Sequence, residues 1–372
     1  MIHARATVLL GLLLVILAAG PASATKYAGE FLKIPVGARA LGMGGAFTAV
    51  ADDATSPWWN PAGMVYLPYR EILPQHAEKF GSLVNQDYVG AVFPLGGQPA
   101  RHSALGIAVL RSAVDDIPIT PRPEDLRPII DFDDYGLDNN PTTNDFGQAD
   151  GVWQPGERLH IPASEIFLAS SSDMALFTSF ARQHGTHWAY GGTVKFVRQN
   201  IPAAPPDKHA TSFGAGVDVG VLYMPTDAVT FAGVVRDLTT TYLTWSNGSR
   251  EIVVPTIDTG SALNFYPASH HALTLALDLA WGFEGRKLDS EIKLGNTTAG
   301  VRTGVEYWYN NVLALRSGVN GKDLTFGAGV RFKQIGVDYA ANLHRFFASS
   351  DKAFPDDQNL DTTHLVSASY SW

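Results

Sequence analysis

Three groups of residues in this chain have types and spacings that chemistry uses. Asp131, Asp133, Asp134, Asp138, Asp145, Asp150 and Glu157 crowd one stretch, 131–157. Within it Gln148, Asp150, Gly151 and Glu157 fall at offsets 3, 5, 6 and 12 of an EF-hand-type loop, and Phe146 stands where the motif requires Asp. Carboxylates at that density either repel one another or hold a hard cation. Asp150 and Glu157 are therefore the Ca²⁺ candidates, against the plainer reading of a solvated loop. Gly42-Met43-Gly44-Gly45 has the glycine content of a phosphate cradle. It lacks both the Gly-Lys-Ser/Thr and the Gly-x-Gly-x-x-Gly completion, so it reads as a close-packed turn. His184 with His187, and His270 with His271, sit in turns, and neither His-Glu-x-x-His nor Gly-x-Ser-x-Gly occurs. These patterns predict a protein that is not an enzyme and needs no cofactor, with Ca²⁺ in loop 131–157 as the one exception weighed.

The elements that must carry these residues are strands. Side chains in a strand alternate between faces with a period of two. The chain ends on such an alternation: His364, Val366, Ala368, Tyr370 and Trp372 share one face, and Ser367, Ser369 and Ser371 the other. Leu273, Leu275, Leu277, Leu279 and Trp281 alternate with Thr274, Ala276, Asp278 and Ala280. The polar faces are built of Gly, Ala, Thr and isolated charges. That face suits the lumen of a barrel and makes a poor core for a sandwich. Strands are predicted near 70–80, 86–94, 104–111, 174–183, 187–199, 211–224, 228–236, 257–266, 271–281, 299–309, 311–319, 323–333, 335–342 and 363–372. Their connectors alternate between tight turns and long loops, the longest at 112–173. The pattern predicts an all-β transmembrane barrel of about 14 antiparallel strands. Val366, Tyr370 and Trp372 form its C-terminal signal. Asp218, Asp278, Lys195, Arg302, Glu306 and Arg331 are expected to face inward. Trp188, Tyr190, Tyr223, Trp281, Tyr307 and Tyr309 lie near strand ends, with Tyr370 and Trp372, and suit an interfacial girdle.

The N-terminus agrees with export. His3 and Arg5 precede the apolar run Val8 to Ala19, and Ala22-Ser23-Ala24 forms a small-x-small cleavage site, so residues 1–24 read as a signal peptide. The chain has no Cys, which excludes a lipoprotein anchor and disulfides. No later run approaches the length of a membrane-spanning helix. The formal charge of −9 becomes −10 once Arg5 leaves with the leader, and an acidic chain is a poor partner for nucleic acid. The expected location is a bacterial outer membrane, with its lipid and the barrel-assembly machinery as partners.

Residues 25–69 break the strand pattern. They are rich in Gly and Ala, so backbone packs close to backbone, as a compact segment folded into a Gly-lined lumen requires. They are expected to form an N-terminal plug, with the barrel spanning 70–372. Phe31, Phe47, Trp58 and Trp59 are its candidate lining for an apolar ligand.

Gly37-Ala38-Arg39-Ala40-Leu41-Gly42-Met43-Gly44-Gly45-Ala46, then Ala51-Asp52-Asp53-Ala54 and Asn60-Pro61-Ala62-Gly63, resemble the N-terminal signature of the PorV/PorQ family within the FadL-like group of outer-membrane barrels. Val114 to Pro118, Val234 to Leu238, Gly304 to Trp308 and Leu313 to Asn320 look like later blocks of that family in order. The resemblance implies fourteen strands and a plug whose motif residues are Gly37, Arg39, Gly42, Gly44, Gly45, Asp52, Asp53, Asn60, Pro61, Ala62 and Gly63. It also implies one of two roles. A PorV-like accessory of type IX secretion would engage secreted proteins or secretion-system components through its external loops. A FadL-like channel would instead pass long-chain fatty acids or other hydrophobic small molecules. The first is preferred on the length of the resemblance. The loop at 112–173 departs from both.

Overall fold

A computed structural model of the protein describes residues 29–79, 82–96, 103–120, 132–136, 140–143, 146–154, 157–161, 166–203, 208–283, 292–295, 297–344 and 362–372. Residues 1–24, where a signal peptide is expected, and Asp131, Asp138 and Asp145 of the acidic loop lie outside the described residues. Strands account for most of the chain. They are β1 (Glu71–Lys79), β2 (Val84–Leu95), β3 (Ser103–Ile119), β4 (Phe167–His184), β5 (Trp188–Ala203), β6 (Lys208–Thr226), β7 (Val229–Arg236), β8 (Thr241–Trp245) and β9 (Arg250–Val253), followed by β10 (Thr256–Ala268), β11 (His271–Gly282), β12 (Ile292–Leu294), β13 (Thr297–Tyr309), β14 (Leu313–Asn320), β15 (Asp323–Phe332), β16 (Ile335–Leu343) and β17 (Thr362–Ser371). The short strands β8, β9 and β12 lie in two of the long connections. The other fourteen each pair antiparallel with their neighbours, and β17 returns to β1, so the sheet closes on itself. Closure leaves no unpaired edge, which is what a strand needs if its backbone is to be satisfied in hydrocarbon. Among the described residues no helix is long and apolar enough to cross a membrane.

The period-two pattern sets the two faces of the wall. On β11, Leu275 and Leu277 are exposed outside while Ala276 and Asp278 are buried inside. On β17, Val366 and Tyr370 point out, and Leu365 points in against Ala38 and Leu41. Trp372 follows the last strand. Its backbone exchanges two hydrogen bonds with Arg70, 3.0 and 3.2 Å, and its ring stacks on Tyr370, so the C-terminal signal residues join the two ends of the barrel on its outer surface.

All fourteen predicted strands are present, but four reach further. β3 to β6 run for 17, 18, 16 and 19 residues. The connection expected to begin at 112 begins beyond Ile119 and ends before Phe167. The cause is visible in the ladder: Val114 still pairs with Ser171, the register slips at Asp115-Asp116, and pairing resumes at Ile117. Asp116 takes a left-handed conformation (φ 57°) at that bulge. The two aspartates that look like the start of a loop only interrupt a strand.

Inside the wall lies the chain from Gly29 to Pro68. It has a 3-10 turn at Glu30–Lys33, helix α1 (Ala38–Gly42), helix α2 (Ser56–Trp59) and a second 3-10 turn at Pro61–Tyr66. Trp59, Phe47, Met43 and Met64 of this segment are almost wholly buried, and they share one apolar cluster with inward wall residues such as Tyr88, Leu110 and Phe177. The core of the molecule is thus the contact between segment and wall.

Candidate functional site

Local sequence explains how the segment takes its shape. Asn60 is extended (φ −155°), and its side-chain oxygen accepts from the Ala62 N–H at 3.1 Å, capping the turn that Pro61 opens. Gly63 follows because no side chain fits: a Cβ there would stand 1.6 Å from the Ala51 carbonyl oxygen. Gly44 has the same necessity twice over. Its φ is +64°, and a Cβ would lie 2.7 Å from both the Thr303 oxygen and the Val319 nitrogen of the wall. Gly42-Met43-Gly44-Gly45 is accordingly a turn pressed against β13 and β14, with its backbone facing protein on the wall side.

Polar side chains, charged at three of the points, fix the segment to the wall at four places. Arg39 of α1 grips Glu306 with two hydrogen bonds of 2.8 Å and also contacts Asp52, with Asp53 at 3.6 Å. Glu306 passes the contact on to Arg316 (2.6 Å), Arg316 to Asp338 (2.7 Å) and Asp338 to Arg331 (2.7 Å). The result is a ladder of alternating sign from the segment across β13, β14, β16 and β15. At a second place one carboxylate oxygen of Asp278 accepts the backbone N–H groups of Phe47 and Thr48, at 2.9 and 2.8 Å. At a third, Arg236 donates to the carbonyls of Trp58 and Trp59 at the end of α2, pairs with Asp258 at 2.8 Å, and lies 4.6 Å above the Trp58 ring. At the fourth, the Asn60 amide donates to Thr48 O at 2.9 Å and to the wall at Val221 O, 3.4 Å. Nearby, Lys195 sits between Asp218 and Asp237, 2.8 Å from each.

Within the segment, burial alone would lower the pKa of Arg39, but its contacts with Asp52 and Glu306 outweigh burial and raise it well above the ordinary arginine value. Asp53 goes up from the ordinary carboxylate value of 3.8, because burial outweighs Arg39 and the hydrogen bonds from Thr55.

Cavities remain on either side of the segment. On the long-loop side a cavity of about 150 Å³ is bounded by Trp58, Leu32, Phe177 and Val253 and by the ion pairs of Lys195 and Arg236. On the short-turn side a wider cavity of about 940 Å³ opens between Arg39, Tyr66, Tyr69, Trp308 and Arg331. A third, of about 170 Å³, lies beside it and shares Arg39, Asp52 and Tyr66.

The motif residues all lie in the segment and meet the wall at several separate points. Arg39, Asp52 and Asp53 form one charge cluster. Asn60, Pro61, Ala62 and Gly63 form one turn against β5 and β6, and Gly37 opens α1 with its N–H on Gln75. Gly42 and Gly44 lie against wall backbone, and Gly45 lies beside Arg302 and Trp59. Of the four aromatic candidates, Trp58 borders a cavity. Phe47 and Trp59 stack edge-on within the core at 5.7 Å, Trp58 and Trp59 at 4.6 Å, and Phe31 joins the same cluster. These three line none of the three cavities.

Asp150 and Glu157 do not converge on a common point. Asp150 accepts from Val152 N–H and the Gln154 amide, and Glu157 from Gly136 and Gln154 N–H, so backbone and amide donors occupy their oxygens. Among the described residues no three potential ligands gather around a metal position.

Arg236, Asp237 and Arg316 enter the sequence reading only as members of family-like blocks, with no role assigned, and Asp258 and Asp338 do not enter it. A signal was present. Arg316 stands between Leu315 and Ser317, and Asp338 between Val337 and Tyr339, each a charge on the inward register of an amphipathic strand.

No family model matches the sequence, and neither does any curated protein. Solved structures do match in fold. The toluene transporter TodX of P. putida aligns over 91% of this chain and 98% of its own, with 12% identity and a TM-score of 0.52. A FadL homologue of Pseudomonas aeruginosa aligns over the same shares at 12% identity and a TM-score of 0.51. The toluene transporter TbuX of Ralstonia pickettii aligns over 90% and 97%, at 12% identity and a TM-score of 0.51. At these identities the likeness is one of fold.

Proposed function

We propose that the protein is a passive outer-membrane channel for small apolar molecules, with residues 29–68 acting as its plug. The observation that carries this reading is the placement of Trp58. It stands at the floor of a cavity on the long-loop side, with Leu32, Phe177 and Val253 around it, while its own backbone is held by the wall at Arg236. The fold shared with TodX and TbuX, both described as toluene transporters, supports the same direction.

Size narrows the solute. A cavity of about 150 Å³ is the volume that holds a single benzene ring in an apolar protein interior. The cavity found here has that volume. A one-ring molecule fits that volume on its apolar side, between Trp58, Leu32, Phe177 and Val253, with ion pairs forming the rest of the lining. The ion pairs beside the cavity are compensated within the wall, so they present little net charge to an apolar guest. Passage is downhill and needs no chemistry, in keeping with a role other than catalysis.

The secretion-accessory reading, PorV-like and acting through the external loops, rests on the sequence resemblance alone. One experiment separates the two. Cells lacking their own hydrocarbon channels are made to produce the full chain, and uptake of labelled toluene and of a long-chain fatty acid is measured, with mass spectrometry of whatever co-purifies. The channel reading expects toluene uptake above background, reduced about tenfold by Trp58→Ala. Uptake equal to background, together with stoichiometric co-purifying secretion proteins, reverses the order.

A further inference from the structure

The register of β2 to β6 marks a boundary on the outer wall. One row of paired, outward residues reads Val89, Val109, Leu176, Phe196, Ala215, all apolar. Four residues further toward the long loops the row reads Asn85, Ala113, Ser172, Asn200, Thr211, four of them polar. Between these rows lies Asp87, Arg111, Met174, Arg198, Phe213. Toward the short turns the wall stays apolar as far as Leu95, Ser103, Arg182 and Tyr190, with Trp188 stacked on Tyr223 just beyond. Eight residues of tilted strand separate the Asp87 and Leu95 rows, roughly 20 Å of height, close to the apolar band of a transmembrane barrel. The Arg111–Arg198 row therefore stands where hydrocarbon gives way to headgroups, on the long-loop side.

Two arginines share that row, with one strand between them. Strand spacing puts their Cα atoms about 10 Å apart, within reach of one headgroup for two long side chains. Arg111 is steadied from one side by Asp87 at 3.2 Å, and Asp87 also binds His76 at 2.8 Å. Arg198 is exposed and has no acidic partner among the described residues. Met174 and Phe213, 43% and 60% exposed, offer apolar surface beside the cations. Leu176 and Phe196 continue that surface into the hydrocarbon. A guanidinium fork matches phosphate oxygens, and apolar surface directly below it matches an acyl chain.

We propose that this face of the barrel is a binding site for a phosphorylated lipid of the leaflet on the long-loop side. Arg111 and Arg198 hold the phosphate, and Leu176, Phe196 and Phe213 lie along the chains. The site depends on the outer-membrane placement proposed above and is independent of what passes through the lumen. Its effect is to anchor β3 to β6, the strands that stand furthest out of the bilayer.

Native mass spectrometry of the full chain in detergent tests it, with bisphosphorylated lipid A as the probe and its dephosphorylated form as the control. The wild type is expected to retain the phosphorylated probe at least tenfold better than the control. The double variant Arg111→Gln/Arg198→Gln is expected to lose that preference, and Arg182→Gln, at the opposite boundary, to keep it. Folding of each variant is checked by its heat-modifiable gel shift. Equal retention by wild type and double variant, or of both probes, overturns the site, as does a loss confined to Arg182→Gln. Whole-cell labelling of Ser246→Cys in the long connection after β8 tests the placement separately. A labelled cysteine with no lipid preference leaves the placement standing and rejects the site. A cysteine reached only after the cells are opened rejects the placement and the site's leaflet with it.

Discussion

The two sides of the plug segment differ in size and in the way their charges are arranged. On the long-loop side the cavity is about 150 Å³ and its charges form compact groups, with Lys195 between two aspartates and Arg236 between Asp258 and the carbonyls of Trp58 and Trp59. On the short-turn side the cavity is about 940 Å³, and its charges form an open ladder that runs from Asp52 and Arg39 to Arg331 at the cavity wall. The compact groups, in which Lys195, Arg236 and Arg302 balance Asp218, Asp237 and Asp258, make a neutral, rigid frame around an aromatic floor. An open ladder ties a movable piece to a fixed one. Under the channel reading proposed above, selection falls to the narrow side, while the segment is held on both sides, by Arg39 at the wide cavity and by Arg236 at the narrow one.

The largest test of that division is Glu306→Gln. It leaves the buried guanidiniums of Arg39 and Arg316 without their shared carboxylate, and breaking such a pair costs about 3–5 kcal/mol. We expect a lower midpoint for unfolding in urea, measured in detergent, and higher ion conductance in planar bilayers as the segment loosens on its wide side. Unchanged conductance would mean that the ladder does not hold the segment.

Asp278→Ala probes a fixation point outside the ladder. The N–H groups of Phe47 and Thr48 lose their acceptor, about 1–3 kcal/mol for each left buried and unsatisfied. Hydrogen exchange at these two amides should quicken by more than tenfold while exchange around α1 stays slow. If both regions quicken together, the segment moves as one piece and the two sides are not separate devices.

The smallest expected effect is on pH. Burial raises the Asp53 carboxyl above its ordinary value of 3.8, so this group favours the seated segment in its protonated form. Its contribution is fully present below about pH 4 and is lost as pH rises through the raised value. Seating, followed as protection of residues 47–55 from exchange, should weaken over that interval in the wild type and stay flatter in Asp53→Asn. A wild-type profile that instead strengthens as pH rises would show Asp53 held as the charged partner of Arg39.

Much of this was legible in the residues. Fourteen strands, the outward aromatic face of β17 and the inward placement of Asp218, Asp278, Glu306 and Lys195 all follow from a period of two, which each strand carries in its own sequence. The turn at Asn60-Pro61-Ala62-Gly63 is local in the same way: an acceptor side chain, a fixed φ and a residue without Cβ act within four positions. The reach of β3 and β4 was not legible, because Asp115-Asp116 looks like a loop until its partner strand shows the pairing resuming beyond it. The aromatic residues mark the limit most sharply. Phe31, Phe47, Trp58 and Trp59 share an aromatic, apolar chemistry in sequence, yet of the four only Trp58 borders one of the three cavities described above. Trp58 meets Phe177 and Arg236, more than a hundred positions away, whereas Phe47 and Trp59 close on each other within the segment. Sequence alone therefore determined the barrel and the two faces of its wall, since alternation and turn chemistry act between neighbours. Only the tertiary structure decided which charges pair across the lumen, where space remains and which arginines share a level on the outer wall, because strand register and closure bring together residues that no local rule relates.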